Sequence, residues 1–273
     1  MIDTVLIATD GSEGAAVAER FALALAKALG ARVRGITVVE SARVQSLRAA
    51  SLGVVPPALE AIEGYLKARA DAVCQRLSER ARAAGIEIEV ESVAGAVDDR
   101  VVERAESADL LVLGRDGEGQ AWRTGLIGPN ADAILRKTTR PCLVVPSGAE
   151  LAGPLLLAFD GSPGSAIAAR LAVEIGTKLG SSVHVFVDSK DKGRAAARFE
   201  EVRKLLGNLA VPGRETSSTL GRPDVKIVDA ARSVRAGLIV MGAFARNRIH
   251  EYFLGSNAAA VVRTSPVAVL LVR

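Results

Sequence analysis

The sequence predicts an α/β protein built from two tandem, doubly wound domains, each with a five-stranded, mainly parallel sheet flanked by helices. Three observations support this fold class. Short apolar runs alternate with helical stretches, as in parallel sheets covered on both faces. The same residue pattern recurs 150 positions along the chain. The length of 273 residues suits about two domains, and 49% hydrophobic with 3% aromatic residues indicates aliphatic cores.

Strands and helices alternate throughout the first half. Each predicted strand is a short run of apolar, often β-branched residues, and each helix shows amphipathic spacing. Gly30 and Gly85 follow two of the helices, and Pro56 with Pro57 marks a break. The predicted strands are 4–9, 33–39, 86–93, 110–113 and 142–145, and the predicted helices are 14–29, 59–84, 98–107 and 130–137.

The second half repeats the first. Asp10, Gly11 and Ser12 correspond to 160–162 at a shift of 150, whereas Gly114 and Gly242 are 128 apart. The second half has therefore lost about twenty residues, which we place in the connection equivalent to 40–60. The polar stretch 147–153 is the predicted join, which gives domains 1–148 and 149–273.

Composition argues against several classes of protein. The net charge of +4 is spread along the chain without a basic patch rich in aromatics, so no nucleic-acid partner is expected. No apolar stretch approaches the roughly 20 residues that span a membrane, and no signal peptide is recognisable. Cys74 and Cys142 are interpreted as buried free thiols, which favours a cytoplasmic protein.

A candidate binding site lies where two kinds of motif meet. Ligands of parallel α/β sheets bind beyond the carboxyl ends of the strands. Asp10 and Asp160 end the first strands of their halves, and glycine loops at 114–130 and 242–257 end the fourth strands. Glycine loops leading into helix N-termini hold phosphates well, so a base could lie at the Asp end and phosphates at the glycine end. The alternative for Asp-Gly-Ser is a turn and helix cap.

The runs LIATDGS and LLAFDGS resemble the opening motif of universal stress proteins, and the resemblance to a tandem member covers nearly the whole chain. It implies an adenine-nucleotide α-hydrolase-like fold. It also implies a phosphate motif of Gly, two residues, Gly, nine residues, then Gly and Ser or Thr. In the first half Gly114 and Gly117 fit. Ten residues then precede Gly128, and Pro129, without N–H or hydroxyl, precedes Asn130.

The second half matches the same motif differently. Gly242 fits, Ala245 stands where the second glycine belongs, and nine residues lead to Gly255 and Ser256, followed by Asn257. Alanine at 245 disfavours a positive φ if the loop needs one.

The resemblance also implies adenine contacts. These are Asp10 or Asp160 and an apolar residue that ends the second strand. Val38 matches in the first half, whereas in the second half Asp188 takes that position with Val187 just before it. The first half matches better at the adenine end and the second at the phosphate end, and the balance favours occupancy of the second half. Loop arginines such as Arg115 either reach phosphates or lie solvated.

The resulting hypothesis is a stress-response protein that binds ATP, with or without Mg²⁺, as a regulatory ligand. Hydrolysis would be slow at most, because no general base or metal-carboxylate set is apparent. The last strands, 142–145 and 267–272, would pair to make an intrachain pseudo-dimer, and a homodimer of the chain stays open. The alternatives are a nucleotide-free interaction scaffold of the same fold and, with less support, an enzyme of the adenine-nucleotide α-hydrolase type.

Overall fold

The computed structural model describes residues 1–40, 57–117, 127–189, 191–209, 216–218, 222–243 and 254–273. Strands and helices alternate through these ranges. The first half contains β1 (Thr4–Ala8), α1 (Glu13–Leu29), β2 (Arg32–Val39), α2 (Pro57–Ala84), β3 (Ile88–Ala94), α3 (Val97–Ala105), β4 (Leu110–Gly114), α4 (Pro129–Lys137) and β5 (Cys142–Val145). The second half contains β6 (Leu155–Ala158), α5 (Pro163–Leu179), β7 (Val183–Asp188), α6 (Lys192–Leu206), β8 (Thr216–Ser218), α7 (Pro223–Ser233), β9 (Leu238–Gly242), α8 (Ser256–Thr264) and β10 (Ala268–Val272).

The strands form one sheet in the order β3-β2-β1-β4-β5-β10-β9-β6-β7-β8. Each half is parallel with the same internal order, and the two halves join where β5 and β10 pair antiparallel, with Leu143 opposite Leu270. This pairing confirms the prediction that the two last strands cover each other. Each strand satisfies the backbone groups of an apolar edge that would otherwise be open to aggregation.

Alternate strand residues point to two apolar layers, one on each face of the sheet. Val5 and Ile7 enter the layer that also contains the inner faces of α1 and α5, whereas Leu6 enters the opposite layer. Both layers continue from the first half into the second, because α1 and α5 pack together beside the central strand pair. Within the described ranges, no helix is both long and apolar enough to cross a membrane.

The repeated motif builds the same helix start and end in both halves. Ser12 Oγ accepts from the Ala15 N–H at 3.1 Å, and Ser162 Oγ accepts from the Ser165 N–H at 3.2 Å. These side chains cap α1 and α5, whose first-turn amides have no intrahelical acceptor. Each helix is 17 residues long and ends at a glycine with a left-handed backbone conformation.

The halves differ most in the helix after the second strand. Helix α2 has 28 residues, whereas α6 has 15. The loss from the second half therefore includes the first part of this helix, and the prediction that it falls only in the connection was incomplete. The domain boundary at 148 stays a prediction; it lies between the end of β5 and the start of β6.

Candidate functional site

The six residues predicted for the first-half site line one pocket of about 290 Å³. The pocket lies beyond the carboxyl ends of β1, β2 and β4, where ligands of doubly wound sheets bind. Its volume is near the lower end of the range for small-molecule sites. The six predicted residues that line it are Asp10, Val38, Gly114, Gly117, Gly128 and Asn130.

Asp10 lies in a tight turn between β1 and α1. Its Oδ1 accepts from the Ser12 N–H at 2.9 Å, and Gly11 takes a φ of 75°, which favours glycine. Its Oδ2 lies 3.4 Å from the position that a Cβ would take on Gly117. The carboxylate of Asp10 therefore faces the glycine loop across the pocket while its other oxygen holds the turn.

The glycines of the loop serve packing as well as the pocket. A Cβ on Gly114 would lie 3.4 Å from the Ala15 backbone, so the glycine lets β4 end against the start of α1. The Gly128 N–H donates to the Arg115 carbonyl at 2.9 Å and closes the loop. That amide is therefore already bonded within the protein. The first-turn amides of α4 at this end belong to Asn130 and Ala131, two residues that line the pocket.

Gly117 does not have the positive φ that would explain a glycine at this position. Its φ is outside the left-handed region, so the backbone here does not require glycine for its conformation. A Cβ here would make only an ordinary van der Waals contact, at 3.4 Å, with Asp10 Oδ2, so space does not exclude alanine either. Ala245, the corresponding residue of the second half, lies outside the described residues.

Arg115 does not reach into the pocket. Its Nη1 donates to the Ser265 carbonyl at 2.7 Å and to the Arg263 carbonyl at 3.4 Å, at the C-terminal end of α8. Its Nε donates to Asp116 at 3.1 Å. A cation is favourable beside the last carbonyls of a helix. Arg115 thus links the glycine loop of the first half to a helix of the second.

Asp116 is the half-buried carboxylate at the edge of the pocket. Burial alone would raise its pKa, but hydrogen bonds from Arg115 and from the backbone and hydroxyl of Ser147 outweigh burial and lower the pKa below its ordinary value. The group is therefore held as an anion near neutral pH. It accepts from Ser147 N and Oγ at 3.1 and 3.0 Å.

Sequence reasoning missed a whole side of the pocket, which the first part of α2 provides. We call the residues that α2 contributes to the lining, Leu66, Arg69, Ala70 and Val73, the α2 wall. Thr9 and Thr37 also line the pocket and were not predicted. The pattern of α2 is that of any long amphipathic helix, and only the sheet order shows which part of it covers the ends of β1 and β2.

The second half repeats the backbone geometry of the candidate site. Asp160 Oδ1 accepts from the Ser162 N–H at 2.9 Å, and Gly161 has a φ of 72°. The Gly255 N–H donates to the Ala243 carbonyl at 2.9 Å, as Gly128 does to Arg115. A Cβ on Gly242 would lie 3.1 Å from the Ser165 amide nitrogen. The exposed Ser256 and Asn257 begin α8.

The side chains around this second turn differ from those of the first half. Val187 is fully buried, in the apolar layer that also contains the inner faces of α1 and α5. Asp188 takes the place of Val38, and its carbonyl accepts from Arg198 Nη1 at 3.4 Å. Phe159, in place of Thr9, is also buried. The structure thus brings the predicted residues of the first half together around a described pocket, whereas beside Gly161 in the second half it places the charged side chains of Arg198 and Glu201.

No group of three or more His, Cys, Asp or Glu side chains within the described ranges is arranged to hold a metal ion. A Mg²⁺ ion that accompanies ATP is commonly held by phosphates, waters and one or two carboxylates. Both oxygens of Asp116, the carboxylate beside the glycine loop, are engaged by Arg115 and Ser147, so in this arrangement Asp116 does not offer such an ion a ligand.

Comparison with known proteins shows which family shares this architecture. The family model of the universal stress protein family matches residues 1–146 and 153–273. Universal stress protein Slr1230 of Synechocystis sp. is 26% identical over an alignment of 293 positions, which covers 98% of this chain and 99% of that protein. A crystal structure of a universal stress protein from Archaeoglobus fulgidus covers 99% of this chain and 98% of its own, at 20% identity and a TM-score of 0.78. A universal stress protein solved in complex with cAMP is 29% identical, with a TM-score of 0.40, and matches 53% of this chain.

The repeated α/β domain with its glycine loops thus defines the class as adenine-nucleotide α-hydrolase-like. The chain belongs to the universal stress protein family and carries two universal stress protein domains in tandem.

Proposed function

We propose that the pocket of the first domain binds an adenine nucleotide, ATP in the first instance, as a regulatory ligand of a universal stress response protein. The observation that carries this proposal is that residues distant in sequence come together in one pocket. Asp10, Val38, Gly117 and Asn130 are far apart in sequence and line one pocket at the carboxyl edge of the sheet. Family membership supports a nucleotide as the occupant.

The polarity of the pocket suggests how the nucleotide lies. The base fits between the half-buried Val38 and the Asp10 carboxylate, which accepts hydrogen bonds from amino or hydroxyl groups. The phosphates fit at the start of α4, where first-turn amides and the helix dipole favour an anion. Hydrolysis would be slow at most, because the described residues that line the pocket include no histidine and the carboxylate of Asp116 is already bonded to Arg115 and Ser147.

The choice of domain follows from the side chains rather than from the glycine spacing. The phosphate motif by itself favours the second half, where Ser256 begins α8. In that half, however, Asp188 replaces the apolar Val38 and Arg198 lies over the turn of Asp160. We infer that the first domain is the principal nucleotide site and that the second domain is mainly structural.

The first experiment is mass spectrometry of nucleotide released from the purified, denatured protein, followed by calorimetric titration with ATP, ADP, AMP and cAMP. We expect about one nucleotide per chain. Asp10→Asn should weaken binding about tenfold, the scale of one lost hydrogen bond to a charged group. Asp160→Asn is the matched control, because it makes the same change in the same turn of the other domain. Equal effects of the two substitutions, or none from Asp10→Asn, would contradict the assignment to the first domain.

A nucleotide-free scaffold is the second candidate function. Pro129 at the start of α4 and Asp188 at the end of β7 favour it, because each removes a group that the nucleotide motif uses. Purified protein without nucleotide, and without a thermal shift on adding ATP, would support the scaffold. The cytoplasmic location and the homodimer stay predictions from the sequence.

A further inference from the structure

A buried ionic network lies directly behind the pocket of the first domain. Glu19 of α1 is only 1% exposed. Thr9 Oγ1 donates to its Oε1 at 2.5 Å, and Arg80 of α2 pairs with its Oε2. Thr9 Oγ1 in turn accepts from the Gly11 N–H at 3.1 Å. Burying a carboxylate is costly even when it is paired, so such a network is weak evidence for a role in stability.

The second domain builds the same elements without this network. The Thr9 N–H donates to the Ile36 carbonyl at 3.0 Å, and the Phe159 N–H donates to Phe186 at 2.9 Å, which makes Thr9 and Phe159 structural equivalents. By the same shift along helices of equal length, Glu19 corresponds to Ala169, which is fully buried.

The counterpart of Arg80 is Leu205. Val73 and Arg76 are the residues nearest to a Cβ built on Gly11, whereas Arg198 and Glu201 are nearest to one built on Gly161. Val73 and Arg76 are therefore related to Arg198 and Glu201 by a shift of 125 positions. The same shift relates Arg80 to Leu205. Leu205 packs against the apolar core. The three polar groups of the first domain are thus replaced by apolar side chains in the second.

The fold itself does not need the network. In the second domain the Asp160 turn forms with the same 2.9 Å hydrogen bond and nearly the same glycine φ, 72° against 75°. Strand and helix lengths around it agree to within one residue. What differs in the second domain is the helix face equivalent to the α2 wall, since the shift of 125 positions relates Arg69, Ala70 and Val73 to Arg194, Ala195 and Arg198 of α6.

The network links α1, α2 and the end of β1, three elements that must keep their relative positions for the pocket to keep its shape. Arg80 lies seven residues after Val73 and eleven after Arg69, so these side chains share one face of α2. Thr9, which Glu19 orients, itself lines the pocket beside Asp10. We propose that Glu19 and Arg80 are positioning residues for the nucleotide site: they fix the α2 wall and the Thr9 hydroxyl relative to the Asp10 turn. This inference rests on the proposed function of the first-domain pocket.

The test uses the residues that the second domain itself carries. The double variant Glu19→Ala with Arg80→Leu removes both partners of the ion pair, and neither residue lines the pocket. Replacing a buried pair by apolar side chains is often neutral for stability, so the melting temperature should stay near that of the wild type. ATP affinity should fall about tenfold, and amide hydrogen exchange should become faster in peptides that cover the α2 wall. Arg80→Lys, which keeps the ion pair, should bind like the wild type.

The outcomes separate this inference from the function on which it rests. If the wild type binds ATP and the folded double variant binds it equally well, the positioning role is wrong and the nucleotide site stands. If the wild type binds no nucleotide, both proposals fail. If the double variant does not fold, Glu19→Gln decides, because it keeps the shape of the side chain and removes its charge. Wild-type affinity in that variant overturns the positioning role, and about tenfold weaker binding supports it.

Discussion

The two domains share their backbone geometry and differ in the side chains placed around it. Both form the Asp-Gly-Ser turn, both cap the next helix with the serine, and both close the glycine loop with one amide-to-carbonyl hydrogen bond of 2.9 Å. The first domain surrounds this geometry with the α2 wall and a buried carboxylate. The second surrounds it with Phe159, Ala169 and Arg198. Motif residues that fold the domain can therefore persist where the side chains around them have changed.

This explains why glycine spacing alone cannot decide which half binds nucleotide. Gly114 and Gly242 both lie against a helix start, where a Cβ would be 3.4 and 3.1 Å from the nearest backbone atom, so both have a packing role whether or not a ligand is present. The Gly128 and Gly255 amides are each occupied by a loop carbonyl. The residues that distinguish the halves are those next to the motif, and substitutions there should affect one domain more than the other.

The largest expected difference concerns a pair of glycines in the first helical turns. A Cβ on Gly14 would lie 2.4 Å from the Asp116 carbonyl oxygen, whereas one on Gly164 would meet nothing closer than 3.6 Å. Gly14→Ala should therefore destabilise the protein by about 1–3 kcal/mol, as overpacking does. Gly164→Ala should be neutral or stabilise by up to about 1 kcal/mol, because alanine costs less backbone entropy in a helix.

Urea denaturation followed by circular dichroism measures both effects under one set of conditions. The two substitutions are chemically identical and occupy the same position of equivalent helices. Similar losses of stability in both variants would show that the packing around the two turns is less different than the structure indicates. A loss confined to Gly14→Ala should be accompanied by weaker ATP binding, because Asp116 lines the pocket.

A smaller effect is expected at the contacts between the domains. Arg115 donates to Ser265 at 2.7 Å, and Arg273 donates to the Arg136 carbonyl at 3.0 Å, so each domain supplies a cation to the C-terminal end of a helix in the other. Arg115→Ala should cost about 1–2 kcal/mol, since its hydrogen bonds are charge-assisted and the side chain is largely buried. Arg273→Ala should cost less. Thermal unfolding of both single variants and the double variant checks this, and additive losses are expected because the two contacts share no residue.

Much of the fold was predictable because local pattern and topology agree. The predicted strand boundaries of the first half differ from the observed ones by at most two residues, and the stop signals at Gly30 and Gly85 are where α1 and α2 end. The pairing of the last strands was expected from their resemblance to the edge strands of the family, and its antiparallel direction is seen only in the structure. Parallel crossovers leave few arrangements for such a sequence, so periodicity and repetition were sufficient.

The candidate site was predictable only in part, because its missing pieces depend on contacts distant in sequence. Glu19 and Arg80 are 61 positions apart, and in the sequence each is an ordinary charged residue of an amphipathic helix. The sequence left Arg115 open between a phosphate contact and a solvated side chain, because the end of a helix in the other domain cannot be seen from its own loop. The α2 wall required knowing that β2 lies next to β1 and that the helix returns across both.

The smallest expected effect concerns the acid side of the stability curve. The pKa of Asp116 is lowered in the folded protein, so its ionised form contributes stability above the ordinary Asp pKa of about 3.9, and this contribution is lost as the pH falls toward the folded-state pKa. The corresponding sequence position in the second half is Phe244, so this dependence belongs to the first domain. Urea midpoints of the wild type and Asp116→Asn should therefore differ at pH 6 and converge as the pH falls below about 4. Asp224→Asn is the control in the second domain, because Arg222 likewise lowers the pKa of Asp224, although burial raises it. A difference between the wild type and Asp116→Asn that stays constant with pH would mean that Asp116 acts through its shape and hydrogen bonds alone, and that its charge plays no part in holding the glycine loop to the second domain.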